Sequence, residues 1–155
     1  MSLPPEGFLR IAMQLARENA LNGGRPFGAV VVINDTVIAE GVNEVGKRQD
    51  PTAHAELLAI QAASRALGRA RLDGCAVYAS GYPCPMCLSA MYLAGIDEAA
   101  YAYSNEDGEP YGLSTAAIYA ALAKPFHKRS MKIEHYPVHL DGMHPYEVWR
   151  AANGY

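Results

Sequence analysis

Apolar residues recur along this 155-residue chain with the period of a helix in some stretches and of a strand in others. Near the N-terminus they follow the three- and four-residue spacing of an amphipathic helix, which we expect to end near Gly23 and Gly24. Two β-branched runs follow, over residues 27–33 and 36–40, and the Asn34-Asp35 pair between them predicts a hairpin. Because the first run is apolar throughout, we expect both of its faces to be covered.

Helical and strand patterns continue to the C-terminal part of the chain. We predict helices over residues 53–67, 85–94, 115–122 and 145–150 and strands over residues 75–79, 99–103 and 131–136. Pro85 suits a first helical turn, where its missing N–H does no harm, and Gly95 suits the end of that helix. The order α-β-β-α-β-α-β-α-β-α predicts an α/β fold with one mixed five-stranded sheet and helices on both faces. The length fits a single domain over residues 1–155.

Composition and charge favour a compact enzyme that acts on a small molecule. Half of the residues are apolar and 19% are charged, below the usual quarter. The net charge is −3, whereas proteins that bind nucleic acid usually carry a basic surface. No apolar run approaches the ~18 residues of a membrane span, and the first residues do not resemble a secretory signal. With three cysteines, two of them spaced for a metal, we expect a cytoplasmic protein without nucleic-acid or membrane partners.

Two short motifs carry the candidate chemistry, His54-Ala55-Glu56 and Pro83-Cys84-Pro85-Met86-Cys87. The two thiols of Cys-x-x-Cys can bind one metal ion from a single helix turn, and His54 would complete three protein ligands. Structural zinc sites usually have four protein ligands, whereas catalytic ones have three and keep a position for water. Cys75 stands apart, and we interpret it as a small buried strand residue. The motifs therefore predict a catalytic Zn²⁺ site with His54, Cys84 and Cys87 as ligands.

Glu56 is the predicted proton carrier of this site. Zinc lowers the pKa of bound water from 15.7 to about 7, and Glu56 would take the proton and deliver it to a ring nitrogen and to the departing amine. The products from an amino-substituted ring are the oxo compound and ammonia. In a regular helix His54 and Glu56 would point about 200° apart, so we expect both in an irregular entry turn. His-x-Glu combined with Pro-Cys-x-x-Cys is a known signature of zinc nucleobase deaminases.

These residues also have structural interpretations. Cys-x-x-Cys alone is typical of redox motifs and of half a structural zinc site, and a non-catalytic zinc module is the corresponding alternative for the whole chain. Asn43 either hydrogen-bonds a ring edge, with donor and acceptor together, or is a turn asparagine. Phe27 either stacks on a heterocycle or belongs to the core. We interpret the irregularly spaced late histidines as solvent-exposed or hydrogen-bonding residues; they are His127, His135, His139 and His144.

Four segments and the end of the chain carry a family resemblance. The segments are residues 26–30, 40–43, 50–56 and 83–87, and the C-terminal positions are Pro145, Trp149, Arg150 and Tyr155. On these residues the sequence resembles the cytidine/deoxycytidylate deaminase superfamily, and within it the bacterial guanine deaminases. The zinc motifs define the superfamily, whereas the tail and the Pro-Phe-Gly of residues 26–28 indicate the narrower group.

The resemblance implies a three-layer α/β/α fold, a homodimer, and Zn²⁺ held by His54, Cys84 and Cys87 with Glu56 as proton shuttle. It also implies hydrolytic deamination of a free amino-purine base, with guanine converted to xanthine and ammonia. We expect the substrate-binding residues to be Phe27, Asn43, Ala55, Tyr82 and Tyr155. In guanine deaminases the C-terminal segment is exchanged between subunits. The resemblance therefore implies that residues 138–155 close the partner's site, with Tyr155 and Trp149 as the covering side chains.

Three departures from the family pattern concern the substrate. Glu usually precedes the Pro-Cys of the zinc motif, whereas Tyr82 stands here after Ser80 and Gly81. An aspartate that assists with the substrate amine is replaced within residues 112–115, and the tail after Trp149 is short. The departures favour, as alternative substrates, other amino-heterocycles: guanosine, a cytosine-type base, a pterin or an aminotriazine such as ammeline. A tRNA adenosine deaminase is disfavoured because the chain is acidic.

Overall fold

The computed structural model describes residues 3–154. Its strands are β1 Gly28–Ile33, β2 Thr36–Val42, β3 Cys75–Gly81 and β4 Glu98–Tyr103. Its α-helices are α1 Pro5–Leu21, α2 Val45–Arg48, α3 Ala55–Leu67, α4 Pro85–Ala94, α5 Asn105–Gly108, α6 Ala116–Leu122 and α7 Pro145–Asn153. The predicted helices and the first four predicted strands are confirmed, with small shifts at their ends. None of the described helices is long and apolar enough to cross a membrane.

The strands form one mixed sheet in the order β2-β1-β3-β4. β1 is antiparallel to both β2 and β3, and β3 is parallel to β4. The predicted hairpin between β1 and β2 is confirmed. Asn34 and Asp35 have φ angles of 48° and 59°, and two-residue hairpin turns of this kind require such positive values. The hairpin therefore fixes the register of the strand that lies at the centre of the sheet.

The prediction of a fifth strand over residues 131–136 is wrong, and the sheet has four strands. Met131, Ile133 and Tyr136 are all exposed, so their weak alternation does not mark a buried face. A strand also needs a neighbour for its backbone N–H and C=O groups, and the described residues provide none for this stretch.

Alternate residues of β1 pack into two separate cores. Ala29 and Val31 belong to a cluster that includes residues of α3 and α4, whereas Val30 and Val32 pack with Phe8 of α1 and with Tyr78. Successive side chains of a strand point to opposite faces, so α1 covers one face of the sheet and α3 and α4 cover the other. This arrangement confirms the three-layer α/β/α fold and explains why β1 is apolar throughout.

Two glycines allow helices to lie directly on the sheet. A Cβ atom at Gly28 would come within 2.4 Å of the carbonyl oxygen of Ala12 in α1. A Cβ atom at Gly41 would come within 2.2 Å of the carbonyl oxygen of Ala55 in α3. Neither distance is possible for a real side chain, so both positions require glycine because of close approach. Gly41 in particular sets how near the sheet the N-terminal turn of α3 can lie.

The chain divides into two compact units, residues 1–120 and 121–155. In the second unit α7 extends the predicted C-terminal helix from residue 150 to residue 153, and His144 caps its start by accepting a hydrogen bond from the Tyr146 N–H. None of the described residues 121–154 is buried. The exposed apolar side chains of this unit are Leu122, Phe126, Met131, Ile133, Tyr136, Val138, Leu140, Met143, Tyr146, Val148 and Trp149.

Candidate active site

The N-terminus of α4 holds the two predicted thiol ligands. Cys84 is the N-cap residue in extended backbone, and its Sγ atom accepts a hydrogen bond from the Cys87 N–H at 3.4 Å. Pro85 occupies the first helical position, and Gly95 ends the helix in the left-handed conformation, as predicted. Unpaired N–H groups and the helix dipole make this end of a helix favourable for negative charge. The helix start therefore places both sulfur atoms side by side in a setting that favours thiolates.

The N-terminus of α3 holds the histidine and the carboxylate. His54 is the N-cap residue, with φ −77° and ψ 151°, and the helix begins at Ala55. His54 and Glu56 therefore do not share a regular helical turn, which confirms the expected irregular entry. Ala55 is fully buried between them. The extended backbone at His54 turns its ring towards the thiols of α4, and Nδ1 lies 3.4 Å from Cys84 Sγ and 3.5 Å from Cys87 Sγ.

The three donor atoms fit a zinc ion. The two sulfur atoms are 3.4 Å apart, and all three donors lie within 4.8 Å of one another. Tetrahedral bonds of about 2.3 Å to sulfur and 2.0 Å to nitrogen require donor separations of about 3.5–3.8 Å. The observed spacing is close to this requirement. Within residues 3–154 no other such group of His, Cys, Asp and Glu side chains occurs, and no fourth side chain joins this one.

The electrostatics of the thiols also suit a cation. A hydrogen bond from the Cys87 thiol lowers the pKa of Cys84 to about 4, and His54 and the Cys87 N–H add to this effect. The pKa of Cys87 is raised because its thiol donates to Cys84 and because it is buried. Without a metal the two sulfurs therefore share one proton. A bound cation would favour loss of that proton, as for any metal-bound thiol.

Glu56 is buried beside these donors. Its exposed fraction is 5%, and burial raises the pKa of its carboxyl group above the usual value, while an interaction with the Cys87 thiol opposes the shift. Because its pKa is raised, this carboxyl group is better suited than an exposed one to accept a proton at neutral pH and to return it. Glu56 does not belong to the three-donor group.

The sequence of this region matches a family model, the cytidine and deoxycytidylate deaminase zinc-binding region, over residues 4–103. The match contains both zinc motifs and all four strands. The chain belongs to this deaminase family. It is a zinc-dependent aminohydrolase, and the predicted family, enzyme class and cofactor are thereby confirmed.

Individual proteins differ in how similar they are to this chain. The chain is 43% identical to guanine deaminase from Bacillus subtilis over 147 residues, which cover 94% of this chain and 93% of that protein. The crystal structure of the B. subtilis guanine deaminase matches with a TM-score of 0.86 over 96% of this chain and 95% of that one, at 42% identity. Guanine deaminase from Nitrosomonas europaea matches with a TM-score of 0.68, at 30% identity, over 74% of this chain and 66% of that one. A tRNA-specific adenosine deaminase from Aquifex aeolicus is 35% identical over 86% of this chain and 85% of its own length.

Two of the expected substrate-binding residues, Phe27 and Asn43, lie next to each other. The Asn43 N–H donates to the Phe27 carbonyl oxygen at 3.1 Å. Asn43 is buried, and its Oδ1 accepts a hydrogen bond from the Val45 N–H at 3.1 Å, which is the geometry of a turn asparagine. Its Nδ2 has no hydrogen-bond partner in the part of the chain that the structure describes. The oxygen of Asn43 therefore makes the bond expected of a turn asparagine, and its amide NH₂ group is available to donate to a ring.

Tyr82 stands in an aromatic cluster that sequence reasoning did not find. Its ring meets Tyr101 edge-on at 4.8 Å and Tyr119 edge-on at 5.6 Å between centroids. The Tyr119 hydroxyl donates to the carbonyl oxygen of Pro83, the residue before the ligand Cys84. Burial raises the pKa of Tyr119 to about 12, so this hydroxyl stays protonated as a donor. Nothing in the local sequence connects Tyr119 with Pro83, 36 positions earlier, because the contact is purely tertiary.

The remaining expectations concern the loop before α6 and the tail. Ser114 Oγ accepts a hydrogen bond from the Ala116 N–H, and the Thr115 N–H donates to Asn105 Oδ1. Both residues therefore have structural bonds at the start of α6. Tyr155 lies outside the described residues, so its predicted contact with substrate stays a prediction.

Proposed function

We propose that this deaminase converts a free amino-purine base into the oxo-purine and ammonia, with guanine as the preferred substrate and xanthine as the product. The arrangement that carries the proposal is the buried Glu56 carboxyl group beside three donors, His54, Cys84 and Cys87, that lack a fourth protein ligand. A non-catalytic zinc module has no use for such a carboxyl group. Similar solved structures with bound 2,6-diaminopurine and 8-azaguanine, at 31% and 30% identity, support a purine-like ligand.

In this proposal His54, Cys84 and Cys87 hold the zinc ion. A zinc ion bound in this way makes hydroxide available from water at neutral pH. Glu56 accepts the proton of the attacking water and passes it to a ring nitrogen, and a second proton transfer through the same carboxylate releases the amine as ammonia. One water is consumed for each amine released, so the reaction needs no oxidant or further cofactor.

The base would lie among four residues, Phe27, Asn43, Ala55 and Tyr82. Phe27 would line the pocket with its ring, and the Asn43 NH₂ group would donate to an acceptor on the edge of the base. Ala55 would adjoin the base from the start of α3. Tyr82 would form the opposite wall through its aromatic cluster. A neutral heterocycle suits such walls, because they combine apolar surface with few polar groups that fix orientation.

We further propose a homodimer in which residues 138–155 are exchanged and close the partner's site, with Tyr155 and Trp149 as covering residues. The support is the absence of any buried residue among the described positions 121–154, although many of them are apolar. Exposed Tyr92 and Leu93 on α4 give a second apolar patch for a partner subunit. Contiguous exposed apolar surface is typical of protein–protein interfaces.

A small-molecule substrate in the cytoplasm, without a nucleic-acid partner, fits the charge and the thiols. The net charge of −3 opposes binding to a phosphate backbone, and Cys75, Cys84 and Cys87 are all free thiols, which suits a reducing compartment. A gel-shift titration with unmodified tRNA tests the first point. Binding at physiological salt would contradict it.

The test of the function is ammonia release by the zinc-loaded protein from guanine, adenine, cytosine, cytidine, pterin and ammeline, with Glu56→Gln as the blank. We expect guanine to be preferred. Activity on a different ring alone would show that Tyr82 and the Ser114–Thr115 stretch select another substrate. That outcome is the alternative favoured by the three departures from the family pattern. Equal activity of wild type and Glu56→Gln would contradict the proposed chemistry.

A further inference from the structure

A cavity of about 440 Å³ lies where β3 and β4 end. Phe27, Gly81, Tyr82 and Tyr103 form part of its wall, and the loop after β4 contributes Asp107 and Tyr111. Its volume is within the range of small-molecule sites, which is roughly 300–1,000 Å³. Neither the metal-binding residues nor Glu56 belongs to its lining. The cavity is therefore separate from the candidate metal site, and it shares Phe27 and Tyr82 with the proposed base-binding residues.

Gly81 keeps this cavity open beside the ring of Phe27. A Cβ atom at Gly81 would come within 3.3 Å of the Phe27 ring, so a larger residue would displace that ring. The Tyr82 N–H donates to the Tyr103 carbonyl oxygen at 2.8 Å, which joins the two strand ends below the cavity. The sequence Ser80-Gly81-Tyr82, which departs from the family pattern, thus supplies both the open space and an aromatic wall.

The loop that closes the other side is well defined. Ser104 begins α5 with a capping box, in which Asp107 Oδ2 accepts from the Ser104 N–H at 2.9 Å and from its hydroxyl at 3.0 Å. The second oxygen of Asp107 has no partner among residues 3–154, nor do the hydroxyls of Tyr103 and Tyr111. These groups belong to residues that line the cavity, and they are available as hydrogen-bond partners next to apolar ring surface.

The charge of the cavity selects against phosphate. Asp107 is the one charged residue that lines it, and no Lys or Arg belongs to the lining. A phosphate group would meet a carboxylate without a compensating cation, which costs affinity. A sugar suits these walls better, because its hydroxyls can donate to the free Asp107 oxygen and pair with the tyrosine hydroxyls, while its C–H groups pack on the rings.

We propose that this cavity binds a neutral, hydroxyl-bearing substituent of the heterocycle, the ribosyl group of a nucleoside, so that the substrates of the enzyme extend from a free base to its nucleoside. This inference rests on the proposed function, since the amino-heterocycle itself would occupy the reaction centre. Guanosine and water would give xanthosine and ammonia, the same exchange of amine for oxygen as with guanine.

The test compares guanine, guanosine and guanosine 5′-monophosphate on the zinc-loaded, full-length protein. We expect guanosine to be deaminated and the monophosphate to have a kcat/KM lower by on the order of tenfold or more. Calorimetry with the Glu56→Gln protein measures guanosine binding without turnover. In the Tyr103→Phe/Tyr111→Phe double variant we expect the guanosine Kd to rise on the order of tenfold through the loss of two hydroxyl partners. The ratio of kcat/KM for guanosine to that for guanine falls accordingly.

Tyr78→Phe on β3 is the matched control, because it makes the same chemical change at a tyrosine that packs with Phe8 and does not line the cavity. We expect it to change neither substrate's kinetics. Guanine turnover with no binding or turnover of guanosine would overturn the inference and leave the proposed function intact. Guanosine activity that appears only after residues 149–155 are removed would also overturn it, because the tail would then occupy the cavity. Guanosine binding that depends on the two hydroxyls, without deamination of any base, would support the cavity and overturn the proposed function.

Discussion

Residues 3–120 and residues 121–154 use their apolar side chains in opposite ways. In the first region Val30, Val31, Leu72 and Val77 are fully buried in two cores on either face of the sheet. In the second region Leu140, Val148 and Trp149 are at least half exposed, and no described residue is buried. Both regions contain many apolar residues. They differ in whether the same chain buries those residues.

A single chain buries the apolar residues of the first region, whereas the apolar residues of the second region stay exposed for the proposed partner subunit. The first region contains the sheet, both helix starts that hold the donor atoms, and the cavity, and it has two apolar cores of its own. The second region has a capped helix but no core of its own, and such a segment gains stability only when another surface covers it. The chemistry therefore belongs to the first region, and covering the site is the proposed task of the second.

The largest expected effect is on catalysis in the first region. Replacing Glu56 by Gln removes the proton carrier but keeps its size, and we expect kcat to fall by roughly 10²–10⁴-fold. Zinc content and the thermal unfolding midpoint should change little. Steady-state ammonia release and metal analysis measure these quantities. A kcat within a factor of two of wild type would show that another group transfers the proton.

The same substitution at two positions tests the comparison directly. Leu72→Ala removes a fully buried side chain, so we expect the free energy of unfolding to fall by about 2–5 kcal/mol. Leu140 is 70% exposed in the single chain, so we expect Leu140→Ala to weaken the dimer instead. Urea titration and sedimentation equilibrium separate the two outcomes. A loss of unfolding free energy of equal size at both positions, with an unchanged dimer Kd, would remove the distinction between the regions.

Removing residues 149–155 should reduce kcat/KM on the order of tenfold while the sheet region still folds, because the proposed cover of the site would be lost. Mixing this truncated protein with full-length Glu56→Gln protein tests the exchange between subunits. Each protein alone lacks one part, and a mixed dimer would place an intact tail over an intact site. Recovered activity on mixing is the expected result. Truncated protein that stays fully active, or a mixture that recovers nothing, would contradict the exchanged tail.

The smallest expected effect comes from Tyr119→Phe. It removes one hydrogen bond to the Pro83 carbonyl oxygen but keeps the ring contact with Tyr82, and a bond of this kind contributes about 0.5–1.5 kcal/mol. We expect a matching loss of unfolding free energy and weaker zinc binding in a competition with a chelator. Tyr101→Phe makes the same change at the other ring that contacts Tyr82, where the hydroxyl has no hydrogen-bond partner among the described residues, so it is the control and should change neither quantity.

Local patterns predicted the parts of the fold that depend on local chemistry. The helix start at Pro85, the glycine end at Gly95 and the Asn34-Asp35 turn each follow from the conformations that single residues allow. The donor set also followed from spacing, because the N-caps at His54 and Cys84 carry the ligands themselves.

Other features depend on tertiary contacts that no window of sequence contains. Tyr119 meets the zinc loop from a distant helix, and the alternation of residues 131–136 predicted a strand although no neighbour pairs with it. One missed element did have a local signal. Ser104 followed three positions later by Asp107 is a capping-box pattern, and it would have predicted the turn of α5 that forms one side of the cavity.

The glycine at position 41 has a consequence for the evolution and engineering of this enzyme. Its missing side chain allows the Ala55 backbone, and with it His54 and Glu56, to lie against the sheet. A larger residue there would push the N-terminal turn of α3, and with it His54 and Glu56, away from the sheet. We therefore expect substitutions at position 41 to disrupt the site and not to change its choice of substrate. A library for altered specificity should therefore keep residue 41 fixed and vary Tyr103 and Tyr111, which line the proposed ribosyl cavity and lie outside the two helices that hold His54, Glu56 and the thiols.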